Sequence, residues 1–326
     1  RPLAMLSFAI DFWRGGPSPE GFKTTNLFIH GLTTIALVPF LHLLFSLAGW
    51  PCSRSTYAAL AVSLMWAIHP LQVSTVLYVV QRMQTLATLF LVLALYAYLR
   101  ARLAQIEGRS SRQSWGLTAL FWGLAFASKE DSALLPAYTL ALELTVLGFR
   151  AARPSTSRAL RRTYFVLVLA GVIAYTMVVI PHFWHWDAYP NRDFSSYERL
   201  LTQARVLMMY LGQILLPLPG NLPFFYDDLQ PSRGLLEPLS TLPALAAIGG
   251  LLLLGWRWRT RHPIFALGIL LFLAGHFVTS NVIGLELAFE HRNHFPLIGA
   301  VLAVADLLRA AFNRANASHR TTTAIL

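Results

Sequence analysis

Residues 69–102 read HPLQVSTVLYVVQRMQTLATLFLVLALYAYLRAR, and this stretch decides the fold class. No charged residue lies between Arg82 and Arg100, and a further arginine, Arg102, follows directly. A helix of about 20 apolar residues spans the hydrocarbon core of a bilayer, so the stretch predicts a membrane-spanning helix at 80–100. The fold class predicted from it is an all-α polytopic membrane protein.

The composition extends this interpretation to the whole chain. Of its 326 residues, 56% are hydrophobic and only 13% are charged, and the mean hydropathy is +0.53. A soluble domain carries about 25% charged residues, so this composition excludes a disordered chain and a disulfide scaffold. The net charge of +11 comes from arginines placed between hydrophobic runs, which argues against a nucleic-acid partner. The single cysteine, Cys52, excludes an internal disulfide and a cysteine-based zinc site.

Hydrophobic runs predict about nine membrane-spanning helices within one membrane domain, residues 1–326. The predicted spans are 23–48, 56–69, 80–100, 114–128, 132–149, 163–181, 239–256, 263–280 and 295–312. The domain divides into an outer segment at 1–20, a first helical bundle at 21–181, an outer loop at 182–238 and C-terminal helices at 239–326.

Arginine-rich short loops predict the orientation of these spans. Loops rich in arginine face the cytoplasm, and most acidic residues fall on the opposite side. Residues 198–217 are apolar enough for a further span, but that span would place the basic stretch RWRTRH (257–262) outside. We therefore expect an amphipathic helix at 198–217 that lies in the outer interface. Its polar side chains fall on one arc of the helix: Glu198, Arg199, Thr202, Gln203, Arg205, Tyr210 and Gln213.

Polar clusters at the outer ends of the spans are the candidate binding site, because charge near the membrane core is costly and usually functional. Guanidinium and ammonium groups bind phosphate oxygens, so Arg82, Lys129 and Arg292 predict a phosphate site for an anionic lipid-linked substrate. The side chains expected to orient that substrate are His30, His69, Glu130, Glu290 and His291. The alternative is local neutralisation, in which Lys129 pairs with Glu130 and Glu290 pairs with Arg292.

Two other patterns suggest chemistry without defining it. Asp227 and Asp228 form the only adjacent Asp pair, and an outer-loop carboxylate suits base catalysis in glycosyl transfer. Turn chemistry in a proline-rich loop explains both acids as well. His-x-x-His spacings at 182–185 and 291–294 suit a metal ion, but no acid or cysteine completes either set, so we assign no metal site.

The order of several blocks resembles the membrane domain of the transmembrane and tetratricopeptide-repeat proteins. The most specific are the HP…QR block at 69–82 and EHRNHFPLIG at 290–299. NLFIHGL at 26–32, SKED at 128–131 and LLTQARVLMMYLGQILLPLPGNL at 200–222 keep the same order. This family includes eukaryotic O-mannosyltransferases and bacterial relatives with the GT-C glycosyltransferase fold.

The resemblance implies a GT-C-like bundle, a polyprenyl- or dolichyl-phosphate sugar donor and transfer to protein Ser/Thr hydroxyls on the outer face. For a bacterial relative it implies the inner membrane, with the active side towards the periplasm. It also implies a catalytic acid upstream of the RPL block, which begins here at Arg1, and tetratricopeptide repeats after the last span. We therefore expect a donor-binding body, truncated at both ends and inactive by itself.

Hypotheses from other classes stay open. A non-catalytic membrane scaffold that displays peptide-binding repeats would not need cations such as Arg82 or Lys129 at substrate depth. A lipid-linked sugar transporter typically has two related halves with interrupted spans, and the sequence shows no such symmetry. An Asp-Asp pair before the RPL block would favour the enzyme over the scaffold.

Overall fold

The chain folds into helices joined by turns and loops. The computed structural model describes residues 1–223 and 225–323, and within them it contains no β-strand. The α-helices are α1 Pro2–Gly15, α2 Pro19–Leu47, α3 Cys52–Ala67, α4 Gln72–Leu77, α5 Arg82–Ile106, α6 Arg112–Ser128, α7 Leu135–Leu142, α8 Pro154–Ala174, α9 Ile180–Phe183, α10 Ser196–Leu215, α11 Thr241–Trp258, α12 Pro263–Gly275 and α13 Pro296–Thr323. Short 3₁₀ helices include Glu130–Leu134 and Glu290–Asn293, and π-helical turns lie at Glu143–Leu147 and Tyr175–Val179.

A helix lies at each predicted span. Five helical segments are long and apolar enough to cross a membrane: Pro19–Leu47, Val79–Ile106, Pro154–Phe183, Thr241–Trp258 and Pro296–Ala315. This supports a multi-pass membrane protein. The helices α3, α6, α7 and α12 are shorter, so their crossing stays a prediction. The last three residues of the predicted C-terminal helices, 324–326, lie outside the described residues.

Residues 1–20, expected only as an outer segment, contain the helix α1. It begins with a proline at its first turn, where the missing backbone N–H costs nothing, and its C-cap is Gly16 with φ 66°. Ala4 of this helix is fully buried. The sequence interpretation missed α1 because its 14 residues are too short for a span and carry a mixed polar pattern.

The helix α5 is the centre of the bundle. In the most apolar stretch of this helix, 72% of the residues are buried inside the protein. In the corresponding stretch of Pro154–Phe183, only 6% are buried. Because α5 packs against α2 and α6, it needs apolar side chains on nearly every face. Segment Pro154–Phe183 instead exposes apolar side chains such as Phe165 and Val172, which suits contact with lipid.

The helices α12 and α13 approach each other closely through two glycines. A Cβ added at Gly268 would lie 2.4 Å from the carbonyl oxygen of Gly299, and one added at Gly299 would lie 2.6 Å from that of Gly268. Small residues at such a crossing allow backbone contact between membrane helices. This contact fixes the start of α13, and with it the 3₁₀ turn Glu290–Asn293 that precedes it.

Contacts between helix ends agree with the predicted sidedness. At the end predicted to be cytoplasmic, Nη1 of Arg54 donates to Oδ1 of Asn313 at 3.2 Å. At the other end, Nε1 of Trp66 donates to the carbonyl oxygen of His294 at 2.8 Å. In each contact, both residues belong to the same predicted side of the membrane. Which of the two sides faces outward stays a prediction.

Candidate functional site

The polar face of α10 holds the irregular segment 279–289. Arg199 is fully buried; its Nε donates to the carbonyl of Asn281 at 2.9 Å and its Nη2 to that of Thr279 at 2.8 Å. Gln203 follows one turn later, and its amide donates to the carbonyl of Leu287 at 2.9 Å. The helix predicted at 198–217 thus exists at Ser196–Leu215, but several side chains of its predicted polar arc bind protein backbone rather than water.

Two further turns along α10, Tyr210 completes this row of contacts. Its hydroxyl donates to the carbonyl of Phe289 at 3.0 Å and accepts from the amide of the same residue at 2.7 Å. The segment therefore reaches Glu290 with its backbone already fixed. The location of α10 at the membrane interface stays a prediction.

The turn Glu290–Asn293 carries two of the predicted site residues in buried positions. Nη1 of Arg292 donates to the carbonyls of Glu286 at 2.9 Å and Leu287 at 3.2 Å, and its guanidinium lies 5.3 Å from the ring centre of Phe289. Arg292 is 8% exposed and Glu290 is 9% exposed. The two side chains form no ion pair with each other, so this half of the local-neutralisation alternative is wrong.

Lys129, at the C-terminal end of α6, lies near this turn. Its ammonium is 3.2 Å from a carboxylate oxygen of Asp131 and donates to the side-chain carbonyl of Gln84. Glu130, its predicted alternative partner, is exposed and pairs with Arg1 instead. The structure therefore brings Lys129 and Arg292 towards one region and turns Glu130 away from it.

Positive charge accumulates in this region, and we call Lys129, Arg199 and Arg292 the cationic cluster. Burial and the charges of Lys129 and Arg292 lower the pKa of His291 to about 3. Burial, reinforced by the charge of Arg292, lowers the pKa of Arg199 to about 10. Within the described residues Arg199 and Arg292 donate to backbone carbonyl oxygens and form no ion pair with a carboxylate. The carboxylate nearest in effect is that of Glu286, which pairs with Arg192 and whose charge acts on both arginines.

Arg82, the third predicted phosphate ligand, binds a different set of partners. It is fully buried, and its Nη1 is 2.5 Å from a carboxylate oxygen of Asp11. Its other donors bind Oδ1 of Asn26 at 2.8 Å and the backbone carbonyls of Phe22 at 2.7 Å and Ser7 at 3.1 Å. These contacts join α1, α2 and α5, and they occupy the guanidinium.

The predicted histidines His30 and His69 contact different helices. A ring nitrogen of His30 is 3.0 Å from the carbonyl of Ala67, and the ring stacks on Trp66 with centres 4.7 Å apart. The ring of His294 lies 5.6 Å from that of His30, so His30 borders the turn. His69 instead lies against α10, with its Nε2 3.0 Å from the carbonyl of Ile214.

The aspartates of the outer loop line two neighbouring cavities. Asp227 borders a cavity of about 820 Å³, and Asp228 borders one of about 400 Å³. Tyr226 lines both cavities, and burial raises its pKa, with a further contribution from the charge of Glu290. Both aspartates are exposed, whereas Tyr226 is half-buried.

An apolar groove lies between α7, α8 and α12. Its volume is about 610 Å³, and its walls include Ala137, Leu140, Val168 and Phe277. Residues 133–134, a few positions after Lys129, also line the groove. In the residues that the structure describes, no group of three or more His, Cys, Asp or Glu side chains is arranged to hold a metal ion.

Comparison with known proteins gives partial similarity to one group of enzymes. No family model matches the chain, and no solved structure matches it. The protein O-mannosyl-transferase TMTC4 of Homo sapiens is 30% identical over 156 residues, which are 45% of this chain and 21% of that protein. For the protein O-mannosyl-transferase TMTC2 of Homo sapiens the identity is 31% over 116 residues, 36% of this chain and 13% of that protein.

A third relative, the protein O-mannosyl-transferase TMTC1 of Mus musculus, is 29% identical over 105 residues. These cover 31% of this chain and 10% of that protein. The matches with these relatives thus span only about a fifth of their length or less. These similarities support the resemblance drawn from the sequence blocks.

Proposed function

We propose that this chain is the donor-binding body of a membrane glycosyltransferase that uses a polyprenyl-phosphate sugar. The observation that carries the proposal is the buried cationic cluster, in which Arg199 and Arg292 form no ion pair with a carboxylate within the described residues. A buried charge without an opposite charge is costly, and a bound phosphate would compensate that cost. Lys129 and Arg292 are the side chains that would contact the phosphate, since three carbonyl contacts already occupy Arg199.

The apolar groove supports a lipid as the carrier of that phosphate. A polyprenyl chain is a hydrocarbon, and the groove between α7, α8 and α12 is lined by apolar side chains. Because residues 133–134 line the groove, a polyprenyl chain whose phosphate binds near Lys129 could lie in it.

The cationic cluster and the outer-loop carboxylates would serve an inverting glycosyl transfer. A Ser or Thr hydroxyl oxygen of the acceptor protein forms a bond to the anomeric carbon, and the bond from that carbon to the phosphate oxygen breaks. The hydroxyl proton passes to a carboxylate base, for which Asp227 and Asp228 are the candidates in this chain. Lys129 and Arg292 stabilise the negative charge that develops on the departing polyprenyl phosphate. Glu290, His291 and His30 border the sugar.

The names of the relatives support mannose as the sugar and proteins as acceptors, since all three are named protein O-mannosyl-transferases. We further propose that the protein lies in a bacterial inner membrane with this site on the periplasmic side. The acids of the outer loops and the arginines of the opposite loops support that orientation.

Binding of a fluorescent polyprenyl phosphate to the chain in lipid nanodiscs tests the proposal. We expect Lys129→Gln and Arg292→Gln each to weaken binding by about ten- to a hundred-fold, because each loses a charge-assisted contact. Arg233→Gln is the matched control, since Arg233 is an outer arginine that pairs with Asp193 and Glu198. Binding that is equal in all variants, or equal for the uncharged polyprenol, would contradict the proposal.

A further inference from the structure

The cavity that contains Asp227 has walls from three parts of the chain. It is lined by residues 191–194, by most of 225–231 and by 286–289, and its volume is about 820 Å³. This volume exceeds what one hexose fills and suits a few residues of extended peptide. We call this cavity the acidic cleft.

The charges that line the acidic cleft are mainly negative. Asp193, Asp227 and Glu286 line it, with Arg192 as the opposing charge. Arg192 is engaged by Glu286 at 2.8 Å, and Asp193 pairs with Arg233 at 3.0 Å. Asp227 is exposed and forms no ion pair within the described residues, so its carboxylate is available to a ligand. Because the other two acids are paired with arginines, the uncompensated charge of this lining is that of Asp227, and its sign is opposite to that of the cationic cluster.

The walls of the cleft are held in place before any ligand arrives. The contacts of α10 fix the 286–289 wall through Gln203 and Tyr210. The 191–194 wall is fixed by Tyr189, whose amide donates to the carbonyl of Phe194 at 3.1 Å and whose hydroxyl donates to the carbonyl of Val282 at 2.6 Å. A preformed site loses less entropy on binding, which suits recognition of a flexible segment.

The acidic cleft leads directly to the cationic cluster. Its wall at 286–289 continues into Glu290, and the carbonyl of Glu286 accepts a hydrogen bond from Arg292. One residue, Glu286, therefore both lines the cleft and holds a phosphate-binding cation. A hydroxyl carried by a segment in the cleft would lie beside the turn where the donor phosphate is expected.

From these relations we infer that the acidic cleft binds the acceptor as an extended peptide segment with a Lys or Arg side chain near its Ser or Thr. The basic side chain pairs with Asp227, which leaves Asp228 as the candidate base, and its aliphatic stem packs on the aromatic ring of Tyr226, which lines the same cleft. Opposite charge in the two sites keeps the anionic donor and the cationic acceptor in separate places. This inference rests on the proposed glycosyltransferase function.

Peptide binding to the whole chain in nanodiscs tests the inference without requiring catalysis. Three fluorescent peptides with the same central Thr, flanked by Lys, Ala or Glu, are compared by anisotropy at low and high salt. We expect the Lys peptide to bind most tightly and the Glu peptide least. High salt should reduce the difference, since exposed charges are screened.

Asp227→Asn and Asp187→Asn form a matched pair of variants. Both residues are exposed outer-loop aspartates, but only Asp227 lines the cleft. Asp227→Asn should weaken binding of the Lys peptide by about three- to five-fold, the contribution of one exposed ion pair, and leave binding of the Ala peptide unchanged. Asp187→Asn should leave both unchanged.

Two results would overturn the inference: equal binding of the three peptides, or equal effects of the two aspartate variants. Polyprenyl-phosphate binding in the same nanodiscs separates this failure from failure of the proposed function. Retained donor binding that depends on Arg292, without preference for the Lys peptide, rejects the cleft and keeps the transferase. If the chain does not prefer polyprenyl phosphate over polyprenol, both the acceptor cleft and the proposed transferase function are rejected.

Discussion

Oε1 of Glu143 accepts a hydrogen bond from Nε of Arg102 at 2.5 Å and another from the hydroxyl of Tyr98 at 2.7 Å. Its second oxygen accepts from the amide of Phe149 at 2.9 Å. Tyr98 also contacts the hydroxyl of Tyr164 at 2.8 Å, so one buried carboxylate ties α5 to the π-helical turn after α7 and to α8. All of these contacts lie at the end of the bundle away from the candidate site.

Removing one member of this network should destabilise the fold strongly. Glu143→Gln leaves the buried guanidinium of Arg102 without its charge partner, and loss of one partner of a buried pair costs about 3–5 kcal/mol. The double variant Glu143→Gln/Arg102→Met should be less unstable than the sum of the single variants. Thermal unfolding in detergent measures all three, and a melting temperature of Glu143→Gln equal to the parent would contradict the network.

Which contacts the sequence can predict depends on their distance along the chain. The pair Asp306–Arg309 follows from helical spacing, and its nitrogen and oxygen lie 2.9 Å apart. Arg102 and Glu143 are 41 residues apart, and no periodicity relates them. In the same way hydropathy located the helices, whereas their mutual contacts depend on three-dimensional packing.

The candidate site shows the same limit. Lys129 and Arg292 were predicted as outer-facing cations, and the structure brings them towards one region. Arg199 was predicted only as part of a polar arc, because its partners Thr279 and Asn281 lie about 80 residues further along the chain. An arginine near the start of an amphipathic helix, with no acid three or four residues away, is the sequence signal that would have found it.

Arg199 should support the donor site through segment 279–289. Arg199→Met removes three hydrogen bonds to backbone carbonyls, each worth about 1.5–3 kcal/mol for a charged donor, so we expect lower stability and weaker polyprenyl-phosphate binding together. Arg199→Lys should retain only part of the stability and only part of the donor affinity. Arg205→Met is the control, because Arg205 on the same helix binds Gln230 and Ser232 instead. Donor affinity that falls equally in both variants would reject a specific role for Arg199.

Acid should destabilise the turn that carries His291. The pKa of His291 is lowered from 6.5 to about 3 on folding, so the folded state binds fewer protons than the unfolded state between these values. Stability is therefore complete above about pH 6.5 and falls as the pH decreases below it, by at most about 1.4 kcal/mol per pH unit. His291→Gln should flatten the curve of melting temperature against pH in this range. Parallel curves for parent and variant would show that His291 does not titrate in this way.

Thiol labelling in intact cells should report the orientation. In a Cys52→Ser background, needed because Cys52 is exposed, single cysteines at Asp193 and Asp228 should react with an impermeant reagent. Cysteines at Arg109, Arg158 and Thr260 should be protected, since the arginine-rich loops are predicted to be cytoplasmic. Protection at Asp228 together with labelling at Thr260 would mean that Ser196–Leu215 crosses the membrane.

Arg82 and Asp11 offer a test of whether the third predicted cation binds donor or holds the fold. Since the guanidinium of Arg82 is fully buried and bound to Asp11, Arg82→Met and Asp11→Asn should both destabilise the protein, with a coupling of about 0.5–3 kcal/mol in the double variant. Polyprenyl-phosphate affinity of the folded fraction should stay within two-fold of the parent, about 0.4 kcal/mol, in each. If Arg82→Met instead loses donor binding while Asp11→Asn keeps it, Arg82 contacts the phosphate, and the site extends to the start of α5.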